Sequence, residues 1–245
     1  MSRAKDGLPP GAESRMSGVQ NLIFACVFFL LIHFGVSGTR LRAALIARLG
    51  NGAYQGVFSL ASLAGLIWMI YGYRHAPTLP LWMPPSALRP LAYLLVFVGF
   101  LLAVIGLTTP SPTQAGGESR LAAGVDPVRG ILRITRHPFL WGVTLWALAH
   151  VVMNGDLASL ILFGSLLLLS LGGPLSIDAK RRRTLGERWL AFAQATSGVP
   201  FAAVLGGRNS VYAAISEIGF VRPLVAIAVF ALLFYFHGRF FGSTL

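Results

Sequence analysis

Long apolar runs alternate with short polar segments that carry most of the arginines. The runs fall at roughly Val19–Gly38, Tyr54–Tyr73, Pro90–Leu107, Pro138–Met153, Leu157–Ile177 and Val221–His237. About 20 helical residues, rising about 1.5 Å each, cross a hydrocarbon core of about 30 Å. Each run is therefore read as a spanning helix, the fourth being the shortest for the task. Asn154-Gly155-Asp156 follows the fourth run as a tight turn, so spans four and five form a helical hairpin. Two connections are long: residues 108–136, rich in Pro, Gly and Thr and then basic, and residues 178–220, opening on Asp178 and Lys180-Arg181-Arg182-Arg183. Within the second, Leu185–Leu205 is only moderately apolar, and Trp189, Phe192 and Phe201 suit a helix lying in the membrane interface. The predicted fold is an all-α polytopic transmembrane helical bundle of about six spans with an interfacial segment before the last. It comprises a polar N-terminal extension, residues 1–17, and one membrane domain, residues 18–245. A signal peptide does not fit the first run, which is long for one, lacks a small-x-small cleavage site and is followed by arginines.

Composition agrees with lipid as the solvent. Of 245 residues, 55% are hydrophobic and 11% charged, with mean hydropathy +0.70; a soluble domain carries about 25% charged residues. The net charge of +12 would point to nucleic acid in a soluble chain. Here the basic residues sit between apolar runs, where membrane orientation and anionic lipid headgroups account for them, and no nucleic-acid partner is expected. Arg3, Lys5, Arg15, Arg74, Arg89 and Arg239 fall on one side of the six-span arrangement and the other fourteen Lys and Arg on the opposite side. The loops holding Arg40, Arg129 and Lys180 are thus expected in the cytoplasm, in a multi-pass protein of the bacterial inner membrane. Cys26, the single cysteine, forms no internal disulfide.

None of the eight acidic residues falls within an expected span. That counts against an ion-coupled carrier and against paired-carboxylate hydrolysis in the membrane interior. Of five histidines, only His33 and His150 lie well inside apolar runs. A histidine in hydrocarbon is either neutral and hydrogen-bonded to a neighbouring helix or a metal ligand. By helical rise His33 lies roughly 8 Å and His150 roughly 18 Å from the same membrane face, an offset that a shared iron would bridge. His137, at the mouth of the fourth span, lies a similar distance from His33 in the other direction, so depth alone does not choose. Gly142, Trp146, His150 and Asn154 recur every four residues and share one helix stripe. The stripe suits a ligand site, but periodicity alone favours a helix–helix seam with Gly142 admitting its neighbour.

The run from Gly130 through Arg133, Arg136-His137-Pro138, Trp141-Gly142 and on to Trp146 and His150 resembles the signature of the NnrU family. Asp178, Arg181-Arg182-Arg183, Gly186, Trp189, Phe192, Thr196-Ser197, Pro200-Phe201 and Gly207-Arg208 support the resemblance, as do His33-Phe34-Gly35, Arg40 and Arg42. It covers almost everything after Met16. The same superfamily contains the 15-cis-zeta-carotene isomerases, integral membrane proteins with heme b that isomerise a central cis double bond of a polyene. The resemblance implies heme b here, with His33 and His150 as its iron ligands and metal-binding residues, and Trp146 and Gly142 beside the cofactor. It implies that Arg136, His137 and Arg208 support the site or form a pocket at the membrane face, the His137 ring bonded to a backbone carbonyl or a phosphate headgroup. The apolar partner would be a polyene if the chain is an isomerase, or nitric oxide if it is a redox accessory of the denitrification-linked NnrU branch. A more distant likeness, Arg-His-Pro with Gly142 four residues on, is to the isoprenylcysteine carboxyl methyltransferases; it implies an S-adenosylmethionine pocket built by Arg136, His137 and residues 185–208. A non-enzymatic membrane assembly factor, with both buried histidines purely structural, is the remaining class.

Overall fold

The computed structural model describes residues 12–118, 121 and 127–241, with side chains from residue 17 onward. Among these residues the chain is helical, and its one β-type contact is an isolated bridge between Pro80 and Asp156. Helix α1, Ala12–Leu30, runs on as a π-helix, Leu31–Ser37, and is followed by α2, Leu41–Leu49, and α3, Asn51–His75. A 3-10 turn, Ser86–Leu88, leads into α4, Arg89–Thr108, and a second, Gly130–Arg133, precedes α5, Pro138–Asn154. Then come α6, Leu157–Leu185; α7, Glu187–Ala195; α8, Ala202–Leu205; α9, Val211–Ile218; α10, Val221–Tyr235; and α11, His237–Phe241.

Among the described residues four stretches are long and apolar enough to cross a membrane: Ser17–Ser37, Asn51–His75, Ser86–Thr108 and Leu157–Leu185. A fifth requires α9 and α10 together, which meet at a 75° bend. Helix α5, with 17 residues, is about 25 Å long and remains the short member of the hairpin. The all-α membrane architecture expected from the sequence is thus present, with four candidate spans, or five, among the described residues against about six expected. Most of the extension, residues 1–11, lies outside the described residues; the rest of it is helical and leads straight into the first span.

The long connection after Ile177 is the main departure from expectation. Helix α6 does not stop where its apolar run stops, but carries Asp178 and Lys180–Arg183 as helix. Ala, Lys and Arg are good helix formers, cations at a helix C-terminus complement its dipole, and nothing breaks the helix until Gly186, at φ +53°. The expected interfacial segment divides into α7 and α8, and α9 is an additional helix.

The chain forms two compact units: residues 1–85 with 150–165, and residues 86–149 with 166–245. In the first, α1 packs on α3 through glycines: a Cβ at Gly72 would lie 3.0 Å from the Leu22 backbone, and one at Gly65 3.1 Å from the rings of Phe28 and Phe29. Helices in lipid gain little from apolar burial against each other, so such close van der Waals contact holds them. The predicted turn is present, with Gly155 at φ +70°. Its carbonyl accepts from Leu81 N (2.8 Å) and Trp82 N (3.1 Å). Asp156 then caps α6, accepting from Ser159 N at 3.0 Å and from Ser159 Oγ at 2.6 Å.

In the second unit α4 and α5 meet at Gly99 and Gly142. A Cβ at Gly99 would lie 2.8 Å from Gly142 O, and one at Gly142 2.5 Å from Gly99 O. Helix α10 lies on α4 through ring contacts, Phe97–Phe230 at 5.2 Å and Tyr93–Phe234 at 5.7 Å. Below these helices Val128, Ile131, Leu132 and Ile134 bury against Trp189, Phe192 and Ala214, a small apolar core built from the two long connections.

Gly142→Val is expected to force α4 and α5 apart at a cost of about 1–3 kcal/mol, the usual scale of overpacking. Thermal unfolding of the purified protein in mild detergent should show a clear fall in Tm. An unchanged Tm would contradict the close approach.

Candidate functional site

His33 and His150, the two histidines singled out by depth, both belong to the first unit. His33 lies within the π-helical segment, a helix form that recurs at functional sites. Its Nδ1 is 2.8 Å from Phe29 O. A carbonyl only accepts, so Nδ1 carries the proton and the lone pair is on Nε2, the tautomer of a ligating histidine steadied by its backbone. The imidazole sits between rings, its centroid 4.3 Å from that of Phe29 and 5.3 Å from that of Phe58 on α3. His150, one turn before the hairpin tip, stacks on Phe163 of α6 at 4.6 Å and 30°. Phe163 in turn receives the edge of Tyr73 at 5.9 Å. The Tyr73 hydroxyl bonds Ser159 Oγ at 2.9 Å, and Asn154 Nδ2 donates to the same oxygen at 2.9 Å.

The other stripe residues divide between the units. Gly142 is the close-approach point of α4 and α5, so the helix–helix seam is present at that position. Trp146 is half-buried in the second unit, one turn further along α5. Asn154 serves the polar knot at the hairpin tip rather than a ligand.

Arg136 and His137 come together on an unexpected partner. His137, 3% exposed, places Nε2 2.7 Å from Asp178 Oδ1. Arg136 donates Nε at 2.9 Å and Nη2 at 2.5 Å to Asp178 Oδ2. The partner foreseen for the His137 ring was a carbonyl or a headgroup; the carboxylate of α6 takes that place. The guanidinium also lies 6.0 Å over the Trp189 ring. Around this trio the backbone is stitched across the two connections: Arg136 N donates to Ser197 O (2.9 Å), Thr135 Oγ1 and Trp141 Nε1 both donate to Gly198 O (2.9 and 2.7 Å), and Phe201 N donates to Ile134 O (2.9 Å). Phe201 itself is held at φ +64°, a strained value for a residue with a side chain. Arg181, one turn after Asp178, pairs with Glu118 and donates Nη2 to Gln114 O at 2.7 Å. Arg208 is spent on the end of α7, donating to Gln194 O (2.5 Å) and Thr196 O (3.1 Å).

Asp178 as the centre of this knot was missed, although the hairpin contains the signal. His137 lies eighteen residues before Gly155 and Asp178 twenty-three after it, so an antiparallel hairpin returns the carboxylate to within about two turns of the histidine's level. Tyr54 was missed as well, having no motif to mark it; it is buried, and its hydroxyl has no hydrogen-bond partner. Such an orphan costs about 1–3 kcal/mol. Among the described residues no group of three or more His, Cys, Asp or Glu converges on a metal-sized site.

The fold and these contacts define a polytopic helical membrane protein with two histidines each set against aromatic rings and one partly buried Arg–His–Asp knot. The chain belongs to the NnrU protein family, whose sequence profile matches residues 21–245. It is similar to the chloroplastic 15-cis-zeta-carotene isomerase of Zea mays, 25% identical over 219 residues, covering 88% of this chain and 58% of the maize protein. The protein of the same name from Arabidopsis thaliana is 35% identical over 80 residues, 33% of this chain and 22% of its own length. The chain thus spans less than two thirds of the length of the curated relatives it matches. No solved structure matches it.

Removing Asp178 leaves the buried His137 ring and the partly buried Arg136 guanidinium without their shared acceptor. Asp178→Ala is therefore expected to cost about 1–3 kcal/mol in detergent unfolding. Adding it to Arg136→Gln should cost much less than the sum of the single changes. Additive effects in that double-mutant cycle would show that the two side chains do not act as a pair.

Proposed function

We propose that this chain is a heme-b membrane protein that isomerises a cis double bond of a long apolar polyene. The observation that carries the reading is the similarity to a 15-cis-zeta-carotene isomerase across 88% of the chain. The residues present suit the cofactor. His33 has its Nδ1 proton committed to Phe29 O, leaving Nε2 for iron, and His150 lies in the same unit against Phe163. Phe29, Phe58 and Phe163 supply apolar faces to a flat macrocycle. Heme, if bound, would be held by His33 and His150 and would supply a redox-active iron.

The chain's own contribution is binding, orientation and exclusion of water. Cis–trans isomerisation transfers no atom and consumes no proton, so a site of rings and helix backbone needs no general acid or base. The Arg136–His137–Asp178 knot stands apart from this chemistry as the clasp of the second unit. Its side chains bind one another. The arginine asymmetry supports placing the basic loops in the cytoplasm of a bacterial inner membrane, with anionic headgroups about Lys180–Arg183.

Oxidised and reduced absorption spectra of the purified protein test the reading, with His33→Ala and His150→Ala beside the wild type. Reducible b-type bands that weaken or shift in both variants are expected, followed by isomerisation of a 15-cis polyene by the wild type alone. Bands that respond to nitric oxide with no polyene turnover would transfer the site to the denitrification-linked role. No heme after expression with ample heme supply would overturn the proposal.

A further inference from the structure

Two buried side-chain atoms among the described residues lack a hydrogen-bond partner, Arg181 Nε and the Tyr54 hydroxyl. Arg181 already satisfies its other nitrogens with Glu118 and Gln114. Tyr54 has one polar side-chain atom, and that atom is the orphan. A tyrosine 6% exposed normally finds a partner for its O–H, so this one points to a partner that the chain itself does not supply.

Its surroundings say what that partner is. Tyr54 stands in the first turn of α3, its ring stacked on Phe58 at 5.9 Å and 24°. Phe58 lies edge-on to His33 at 5.3 Å, so Tyr54 and His33 flank the same phenylalanine. From α2 the Arg42 guanidinium covers the Tyr54 ring, 5.6 Å from its centroid. A hydroxyl donor beside a guanidinium is the chemistry of carboxylate recognition. Both groups sit at the α2–α3 end of the first unit, one turn from the ring that touches His33.

We propose that Tyr54 and Arg42 bind a propionate carboxylate of the heme whose iron His33 holds. The inference rests on the heme reading above and deepens it. It orients the macrocycle, with its carboxylates at the α2–α3 end and its apolar edge among the rings. A fatty-acid carboxylate or a lipid phosphate has the same chemistry, and the test separates these sources.

The probes are ferric heme b and its dimethyl ester, loaded into wild type, Tyr54→Phe and Arg42→Gln in detergent, with release followed by transfer to apomyoglobin. Wild type should release heme about tenfold more slowly than the ester, the scale of one charge-assisted hydrogen bond. Both variants should release heme nearly as fast as wild type releases the ester, and ester release should be alike in all three. Without heme, Tyr54→Phe should melt at or above the wild-type Tm, because only an orphan hydroxyl is lost; a merely structural tyrosine would lower it. Heme uptake with equal release of heme and ester by the wild type overturns this inference and leaves the heme reading standing. No uptake of heme by the wild type overturns both. Fatty acid or anionic lipid retained by wild type and lost from Tyr54→Phe in native mass spectrometry, with equal heme and ester rates, assigns the site to lipid and overturns the propionate.

Discussion

In hydrocarbon a polar side chain has no water to bond, so it must find its partner within the protein or its ligand. That constraint organises nearly every polar contact of this chain. Ser62, Ser165 and Thr144 turn their hydroxyls back to the carbonyls of Phe58, Ile161 and Leu140 on their own helices. His33 does the same with its imidazole, which also fixes its tautomer. Carboxylates appear at helix ends: Asp156 caps α6 at the hairpin tip, and Asp178 lies near the other end of the same helix, tied to Arg136 and His137. Against this background an unsatisfied Tyr54 hydroxyl reads as a place kept for a ligand.

The second constraint is that lipid gives helices little reason to associate. Close approach through Gly65 and Gly72 in one unit, and through Gly99 and Gly142 in the other, supplies dispersion contacts that larger residues would block. The second unit adds a water-type core, where Ile131, Leu132, Trp189 and Phe192 exclude solvent beside the membrane helices. The Arg136–His137–Asp178 knot then joins the start of α5 to the last turns of α6. Residues that carried the family likeness, Arg136, His137 and Asp178, thus meet in one clasp.

Candidate site residues were legible where depth in an apolar run is itself the signal. His33 and His150 stood out because an imidazole in lipid needs a reason, and the structure places both in one unit. Arg208 carried family likeness without a partner and His137 with a different one, and their contacts run to residues up to 41 positions away. Tyr54 carried no signal, since a tyrosine at a helix start is ordinary until its hydroxyl is seen to be buried and alone.

Composition and hydropathy by themselves determined that this is a helical membrane protein, where its long helices lie, and that residues 154–156 turn a hairpin. Those features follow from local chain properties: apolar length, glycine at a positive φ, and charge excluded from lipid. Only the tertiary structure decided that α6 continues through its basic end, that α9 bends 75° from α10, and that Asp178 rather than a lipid headgroup answers His137. These outcomes depend on which distant side chains meet, and hydropathy along a chain says where a residue lies in the membrane but not what it faces.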